Sequence, residues 1–297
     1  MSSFKNLKVF KFEEILKIKI MKKIIVPVDF SIHSENALKT AALLAKKTNA
    51  TIIALHMLDI QEVNLSESPS YQQEKAVFFL KLAEKKISEF LQKDFLEDLK
   101  VVPLIKHYKI FSEVNQVAKE VNADLIVMGS HGVSGLKEFF MGSNTEKVIR
   151  FSEVPVFVVK KELKDTDFKD VVYATDFSEE SIPAFKNMLK TLDVFNAKKH
   201  ILYVNLPNEN FKTSPEMDAI AHEFLMKAEG NTDRLINVNF VCERSIEKGI
   251  LNFSNAVGAD LITTATHGRT GLSHIFSGSI SEDLSNHAAL PIMTFKI

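Results

Sequence analysis

Residues 122–160, NADLIVMGSHGVSGLKEFFMGSNTEKVIRFSEVPVFVVK, align without a gap to residues 258–296, GADLITTATHGRTGLSHIFSGSISEDLSNHAALPIMTFK. Held in common, from 122 against 258 at an offset of 136, are A-D-L-I, H-G, G-L, a Phe, G-S, a Glu, a Pro and the closing Lys. Upstream, IIVPVDFS at 24–31 matches VVYATDFS at 171–178, an offset of 147. The second copy has therefore lost eleven residues in its middle (147 against 136). Self-similarity of this length marks a tandem duplication. A charged junction, KKELKDTDFK at 160–169, separates the copies. The expected division is an N-terminal extension over 1–20, a first domain over 21–160 and a second over 168–297.

Within copy one the apolar period alternates. Residues 24–28 form a short β-branched run, read as a buried strand. Ser31 and Ser34 offer N-caps for a helix through about Lys47, with Ala37, Ala41, Leu44 and Ala45 at helical spacing. A second strand is expected at 51–57, then a polar loop at 66–70 and a long helical pattern to about Leu99. A third strand at 101–105, a helix at 111–121 and a fourth strand at 125–128 follow. Beyond a Gly-rich loop, a helix at 143–151 and a fifth strand at 155–159 close the copy. Copy two repeats the order, with strands near 171–174, 201–205, 238–241, 261–264 and 292–295. Strands alternating with helices imply parallel pairing, and near-continuous apolar strands imply burial on both faces. The expected fold class is α/β, two tandem five-stranded parallel-sheet domains of Rossmann-like form. Such sheets bind ligands beyond the carboxyl ends of strands where the strand order reverses, here the first and fourth.

Length and composition narrow the function. The chain has 297 residues, 45% hydrophobic and 25% charged, with 37 basic and 38 acidic side chains. A net charge of −1 argues against a dedicated nucleic-acid binder. The single cysteine, Cys242, excludes a disulfide framework or a Cys-based zinc site and suits a reducing compartment. No apolar run reaches the roughly 18 residues that span a bilayer. Lysines and glutamates interrupt the first twenty residues, which read as an extension or a short amphipathic helix rather than a secretory signal. The expected protein is cytoplasmic, with neither a membrane nor a nucleic acid as partner.

The two strand ends at the switch point carry the unusual residues. Strand one ends in Val28-Asp29-Phe30-Ser31, and strand four runs into Gly129-Ser130-His131-Gly132, nine further residues, then Gly142-Ser143. Glycine after a strand lets backbone approach a ligand closely, and a helix start presents unpartnered amides that favour an anion. The spacing gives two backbone cradles suited to phosphates. Asp29, across the switch point, is an acceptor suited to a base amino group or a ribose hydroxyl.

This G-x2-G-x9-G-S motif after D-L-I-V-M, with P-V-D-F-S far upstream, resembles the universal stress protein family over about residues 21–297. The resemblance implies an adenine nucleotide alpha hydrolase-like fold. It also implies ATP as ligand, since the motif of the family's ATP-binding branch wraps ribose and phosphates. Carried over, it places Pro27, Val28 and Asp29 at the adenosine end and Ile52 against the base. Met128, Gly129 and Gly132 would hold ribose and the first phosphates. Gly142, Ser143 and Asn144 would hold the outer ones, with magnesium or manganese between them. Copy two departs from the pattern. It has Ala265 in place of the first glycine, then Gly268, Gly278 and Ser279, with Asp176 after its first strand. The alanine predicts weak binding or none there, although Arg269 restores an H-G-R form where copy one has Val133.

Plainer readings stand beside these. Asp29 and Asp176 are N-cap candidates, although Ser31 and Ser178 are better placed, and Ser143 reads as an N-cap. His131 and His267 read as loop-fixing hydrogen bonders and His56 as packed within the fold. His222-Glu223 lacks the second histidine of a zinc-protease helix. Cys242 reads as a small hydrophobe, and the phenylalanines mostly as core. No catalytic residue and no metal-ligand set emerges. S-G-G-x-D-S, H-I-G-H, G-x4-G-K-[ST] and G-x-G-x-x-G are all absent. The leading expectation is an ATP-binding sensor or signalling module of the stress response without efficient catalysis. The alternatives are a slow ATPase or an enzyme autophosphorylated at Ser143, and a nucleotide-free scaffold. The last strands, opened by Pro155 and Pro291, read as apolar sheet edges. Since the family associates through this strand, the resemblance implies that the copies pair as an internal pseudo-dimer, and leaves a further homodimer open.

Overall fold

A computed structural model describes residues 21–58, 69–107, 113–130, 142–207, 211–266 and 288–297. The first half runs β1 (Lys23–Pro27), α1 (Ile32–Thr48), β2 (Thr51–Leu58), α2 (Pro69–Phe90), β3 (Val101–His107), α3 (Val114–Glu120), β4 (Leu125–Gly129), α4 (Ser143–Phe151) and β5 (Val156–Val159). The second runs β6 (Asp170–Ala174), α5 (Ile182–Leu192), β7 (Lys198–Asn205), α6 (Ser214–Glu229), β8 (Val238–Cys242), α7 (Ile246–Val257), β9 (Leu261–Thr266) and β10 (Ile292–Lys296). Among the described residues, no helix is long and apolar enough to cross a membrane.

All ten strands form one sheet in the order β3-β2-β1-β4-β5-β10-β9-β6-β7-β8. Within each half the pairing is parallel, with β1 between β2 and β4 and β6 between β7 and β9. The two switch points therefore lie at β1/β4 and β6/β9, the first and fourth strands of each half. The halves join where β5 meets β10 antiparallel, with Ile292 opposite Val158, Met293 opposite Phe157 and Thr294 opposite Val156. Each half thus satisfies the other's open edge, and the two sets of carboxyl ends point in opposite directions.

Local chemistry sets the element ends. Ser31 caps α1 by accepting from the Ser34 N–H at 3.2 Å, and Asn49, left-handed at φ 55°, ends it. Ala37, Leu38, Ala41, Leu44 and Ala45 form the buried stripe of α1. Asp124 accepts from the N–H groups of Lys22 and Lys23 at 2.8 and 3.1 Å, and Asp260 repeats this with Lys169 and Asp170 at 2.7 and 3.1 Å. The aspartate of each A-D-L-I repeat is therefore a clamp on the start of its half's first strand. Pro103 stands in β3, an outer strand, where a missing N–H is tolerated.

Two expected elements differ. The helical pattern to Leu99 breaks, since α2 stops at Phe90 and a 3-10 turn occupies Asp94–Leu96. Beyond it Asp98 is left-handed at φ 63°, and Phe95 and Leu99 imitate a continued helical stripe because they pack on the same core as Phe90 from the turn that follows α2. The charged junction also packs on the fold. Phe168 packs edge-on between Phe157 at 6.0 Å and Phe195 at 5.0 Å. Lys39 bonds Glu162 at 2.8 Å, while Lys47 bonds the Thr166 carbonyl at 2.8 Å and pairs with Asp167. One core cluster accordingly runs across both halves, from Val26 and Leu38 through Phe157, Phe168 and Phe295 to Phe185 and Phe224. Phe168→Ala is expected to lower the unfolding free energy by about 3–5 kcal/mol, measured by urea denaturation.

Candidate functional site

The site is built at the carboxyl ends of β1 and β4 and the start of α4. The Val28 N–H donates to the Leu55 carbonyl at 2.8 Å, prolonging the β1 ladder by one residue. The chain then turns sharply. Asp29 Oδ1 accepts from the Ser31 N–H at 3.1 Å and from Ser31 Oγ at 2.6 Å, and Ser31 Oγ in turn caps α1. Between them Phe30 is left-handed at φ 66°, an unfavourable conformation for a bulky side chain. Its ring is held in place by His56 at 4.6 Å and, edge-on, by Phe90 at 5.6 Å. His56 Nδ1 lies 2.8 Å from the Val28 carbonyl. A carbonyl only accepts, so this nitrogen carries the proton. Aromatic packing thus fixes the turn that presents Asp29.

Strand β4 supplies the opposite wall. The Ser130 N–H donates to the Val159 carbonyl at 3.0 Å, and the Gly142 N–H donates to the Ser130 carbonyl at 2.7 Å. Thr145 Oγ1 donates to the Gly129 carbonyl at 2.9 Å. Residues 131–141 lie outside the described residues, yet the residues before and after them are pinned together. A Cβ on Gly129 would lie 2.7 Å from the His33 carbonyl oxygen and 2.8 Å from its carbon. The first turn of α1 presses on β4 so closely that only glycine fits. Gly142 is the N-cap of α4 at φ −62° and offers no side chain to the first amides. Ser143 and Asn144 are exposed at that positive helix end.

The structure brings some of the expected residues together and not others. Asp29, Gly129, Gly142, Ser143 and Asn144 come to the same end of the half. Pro27, Val28 and Met128 are buried at the same strand ends, Val28 in the core on one face of the sheet and Met128 in the core on the other. Ile52 is not brought to the site. It pairs with Ile24 and is fully buried, three residues, about 10 Å, short of the Pro27–Leu55 pairing. The residues of β2 at the correct end are His56, Met57 and Leu58, and strand direction was the signal that could have found them. Ser143 is the first residue of α4 rather than its cap. Gly132, Gly268, Gly278 and Ser279 lie outside the described residues, as do His131, His267, Val133 and Arg269.

Copy two repeats the turn with different filling. Asp176 Oδ1 accepts from the Ser178 N–H at 2.9 Å, and Phe177 is again left-handed at φ 57°. Ser178 opens a 3-10 turn without a side-chain cap, its hydroxyl buried and without a partner, so it does not play the part of Ser31. Phe177 stacks on Tyr203 at 5.8 Å and meets Phe224 at 5.3 Å. Tyr203 stands where copy one has His56, and Tyr173 where it has Val26. Burial, with the Asp176 charge added, pushes the phenols of Tyr173 and Tyr203 above the ordinary tyrosine range. Ala265, the counterpart of Gly129, is buried. Where α1 begins at once in copy one, copy two has the Glu179–Ser181 turn and starts α5 three residues later. Among the described residues no cluster of three His, Cys, Asp or Glu side chains could hold a metal.

Fold and sequence repeat together define a tandem α/β protein whose two halves share one sheet. The family model for the universal stress protein family matches residues 21–160 and again 167–296, so the chain belongs to that family. Universal stress proteins MJ0531 and MJ0577 of Methanocaldococcus jannaschii are each 34% identical to it. They align over 49% and 47% of this chain and 86% and 95% of their own lengths. The solved universal stress protein from Archaeoglobus fulgidus covers 94% of this chain and 98% of its own at 22% identity, with a TM-score of 0.66. That likeness extends the shared fold across both halves.

Two substitutions probe this geometry. Gly129→Ala, which sets a Cβ against the His33 backbone, is expected to cost about 1–3 kcal/mol, read as a fall in melting temperature. Phe30→Gly is expected to be more stable than Phe30→Ala by about 1 kcal/mol, because both lose the ring but only alanine keeps the left-handed penalty.

Proposed function

We propose that the amino-terminal half binds ATP and that the protein is a cytoplasmic sensor or signalling module of the stress response, without efficient catalysis. The observation that carries this reading is the meeting of Asp29, the Gly129–Ser130 strand end and the uncapped start of α4, tied by the Gly142–Ser130 hydrogen bond. The residues present fit a nucleoside triphosphate. Asp29 accepts hydrogen bonds at the adenosine end. Gly129 lets α1 begin directly against the end of β4, and Gly142, Ser143 and Asn144 set amides and polar side chains toward phosphates. Pro27, Val28 and Met128 are the apolar residues at these strand ends. Magnesium or manganese would be carried by the triphosphate, and no step is assigned to it. The aromatic filling behind Phe177 and the buried Ala265 support weak binding, or none, in copy two.

Chromatography of adenine nucleotide released on denaturing the purified protein, with direct titration, tests this. Retained ATP supports the binding module. ADP accumulating with time supports slow hydrolysis, phosphate on Ser143 supports autophosphorylation, and no affinity supports the scaffold. Ser143→Asp is the sharper variant. A carboxylate in the first turn of α4 favours the helix but repels phosphate, so ATP affinity is expected to fall at least about tenfold (roughly 1.4 kcal/mol) with stability unchanged. Asp29→Ala is expected to weaken ATP binding, and Asp176→Ala to leave it unaltered.

A further inference from the structure

Helix α2 is apolar on more sides than the sheet can cover. Ala83 and Ile87 face the sheet and are 3% and 2% exposed. On the opposite side stand Phe78, 62% exposed, and its neighbours Val77 at 46% and Leu82 at 37%. A surface helix normally keeps such residues off its outer face. Glu74, Lys81 and Lys85 share that face with Phe78 at helical spacing and are exposed. Beside it, a groove of about 440 Å³ between α2 and the outer strand β3 is lined by Leu80, Ile87, Leu91, Pro103 and Ile105. Pro103 removes an N–H from that sheet edge, which favours a partner that meets side chains over an added strand.

We propose that the outer face of α2 is a self-association surface, on which two copies of this chain pair α2 against α2, antiparallel about a two-fold axis. Charge complementarity selects the partner and the direction. An antiparallel pair centred between Phe79 and Leu80 sets Val77 against the partner's Leu82 and Glu74 against the partner's Lys85. Phe78 then lies against the partner's Lys81, whose ammonium and apolar stem both suit a ring. Each contact occurs twice by symmetry. A parallel pair would oppose Glu74 to itself, and Lys81 and Lys85 likewise, which excludes it. One helix pair makes a small interface, so the dimer is weak and reversible, with dissociation in the micromolar range. The β5–β10 ladder is already used within the chain, so this contact adds to it rather than competing.

Sedimentation equilibrium of the full chain across micromolar concentrations tests the proposal, with circular dichroism checking that each variant is folded. The wild type is expected to dimerise reversibly and Phe78→Glu to be monomeric. Glu74→Lys and Lys85→Glu alone should each weaken the dimer at least about tenfold, since each opposes like charges twice. Mixed in equal amounts, the two variants should recover the dimer, because both interchain pairs are then opposite in sign. A monomer at every concentration, a dimer indifferent to Phe78→Glu, or no recovery on mixing overturns the proposal. A dimer that forms only after removal of residues 1–20 also overturns it, since that segment and not a second chain would then cover the face.

Discussion

The antiparallel ladder between β5 and β10 is the interaction on which the rest of the molecule depends. In each half the last strand is four or five residues long and mostly buried, and without the other half its outer hydrogen-bonding groups would be bare. Joining them turns two five-stranded sheets into one. It also merges the packing on one side, so that Phe157 and Phe295 belong to the same core as Phe168 of the junction. Because the ladder is antiparallel, each half keeps its carboxyl ends clear of the other's.

At those ends the two copies solve one backbone problem with different side chains. Both force a phenylalanine into a left-handed turn after a strand aspartate, and both hold the ring with aromatic neighbours. Copy one backs Phe30 with His56 and Phe90 and leaves no side chain at Gly129, so α1 begins directly against β4. Copy two backs Phe177 with Tyr203 and Phe224, buries Tyr173 where copy one has Val26 and places Ala265 where the glycine stood. The carboxylate survives in both copies. What differs is the strand end beside it, a glycine packed under α1 in copy one and a buried alanine in copy two.

Much of this was legible because the strands are buried on both faces and the chain repeats itself. Short continuous apolar runs such as 24–28 and 125–128, bounded by polar or turn residues, suit buried strands, and the duplication let one copy check the other. Errors arose where identity was read without direction or geometry. Ile52 has the right chemistry for a base contact but sits upstream on β2, which only the parallel register discloses. The stripe to Leu99 has helical spacing in sequence but is divided in space by a turn at Asp94–Leu96. Ser143 looks like a cap because serines often are, whereas the extended backbone stands at Gly142. Asp124 and Asp260 drew no attention, since a clamp on a distant strand's amides has no local signature.

The packed junction has a further consequence. Residues 160–169 do not hold the halves together by themselves, because the strand ladder and the shared core already do. Covalent continuity instead raises the effective concentration of one half around the other and fixes their stoichiometry at one to one. Two separate chains of such similar sequence could pair each with its own kind. A single chain always pairs unlike with unlike, which allows the second half to give up a ligand while still completing the sheet of the first.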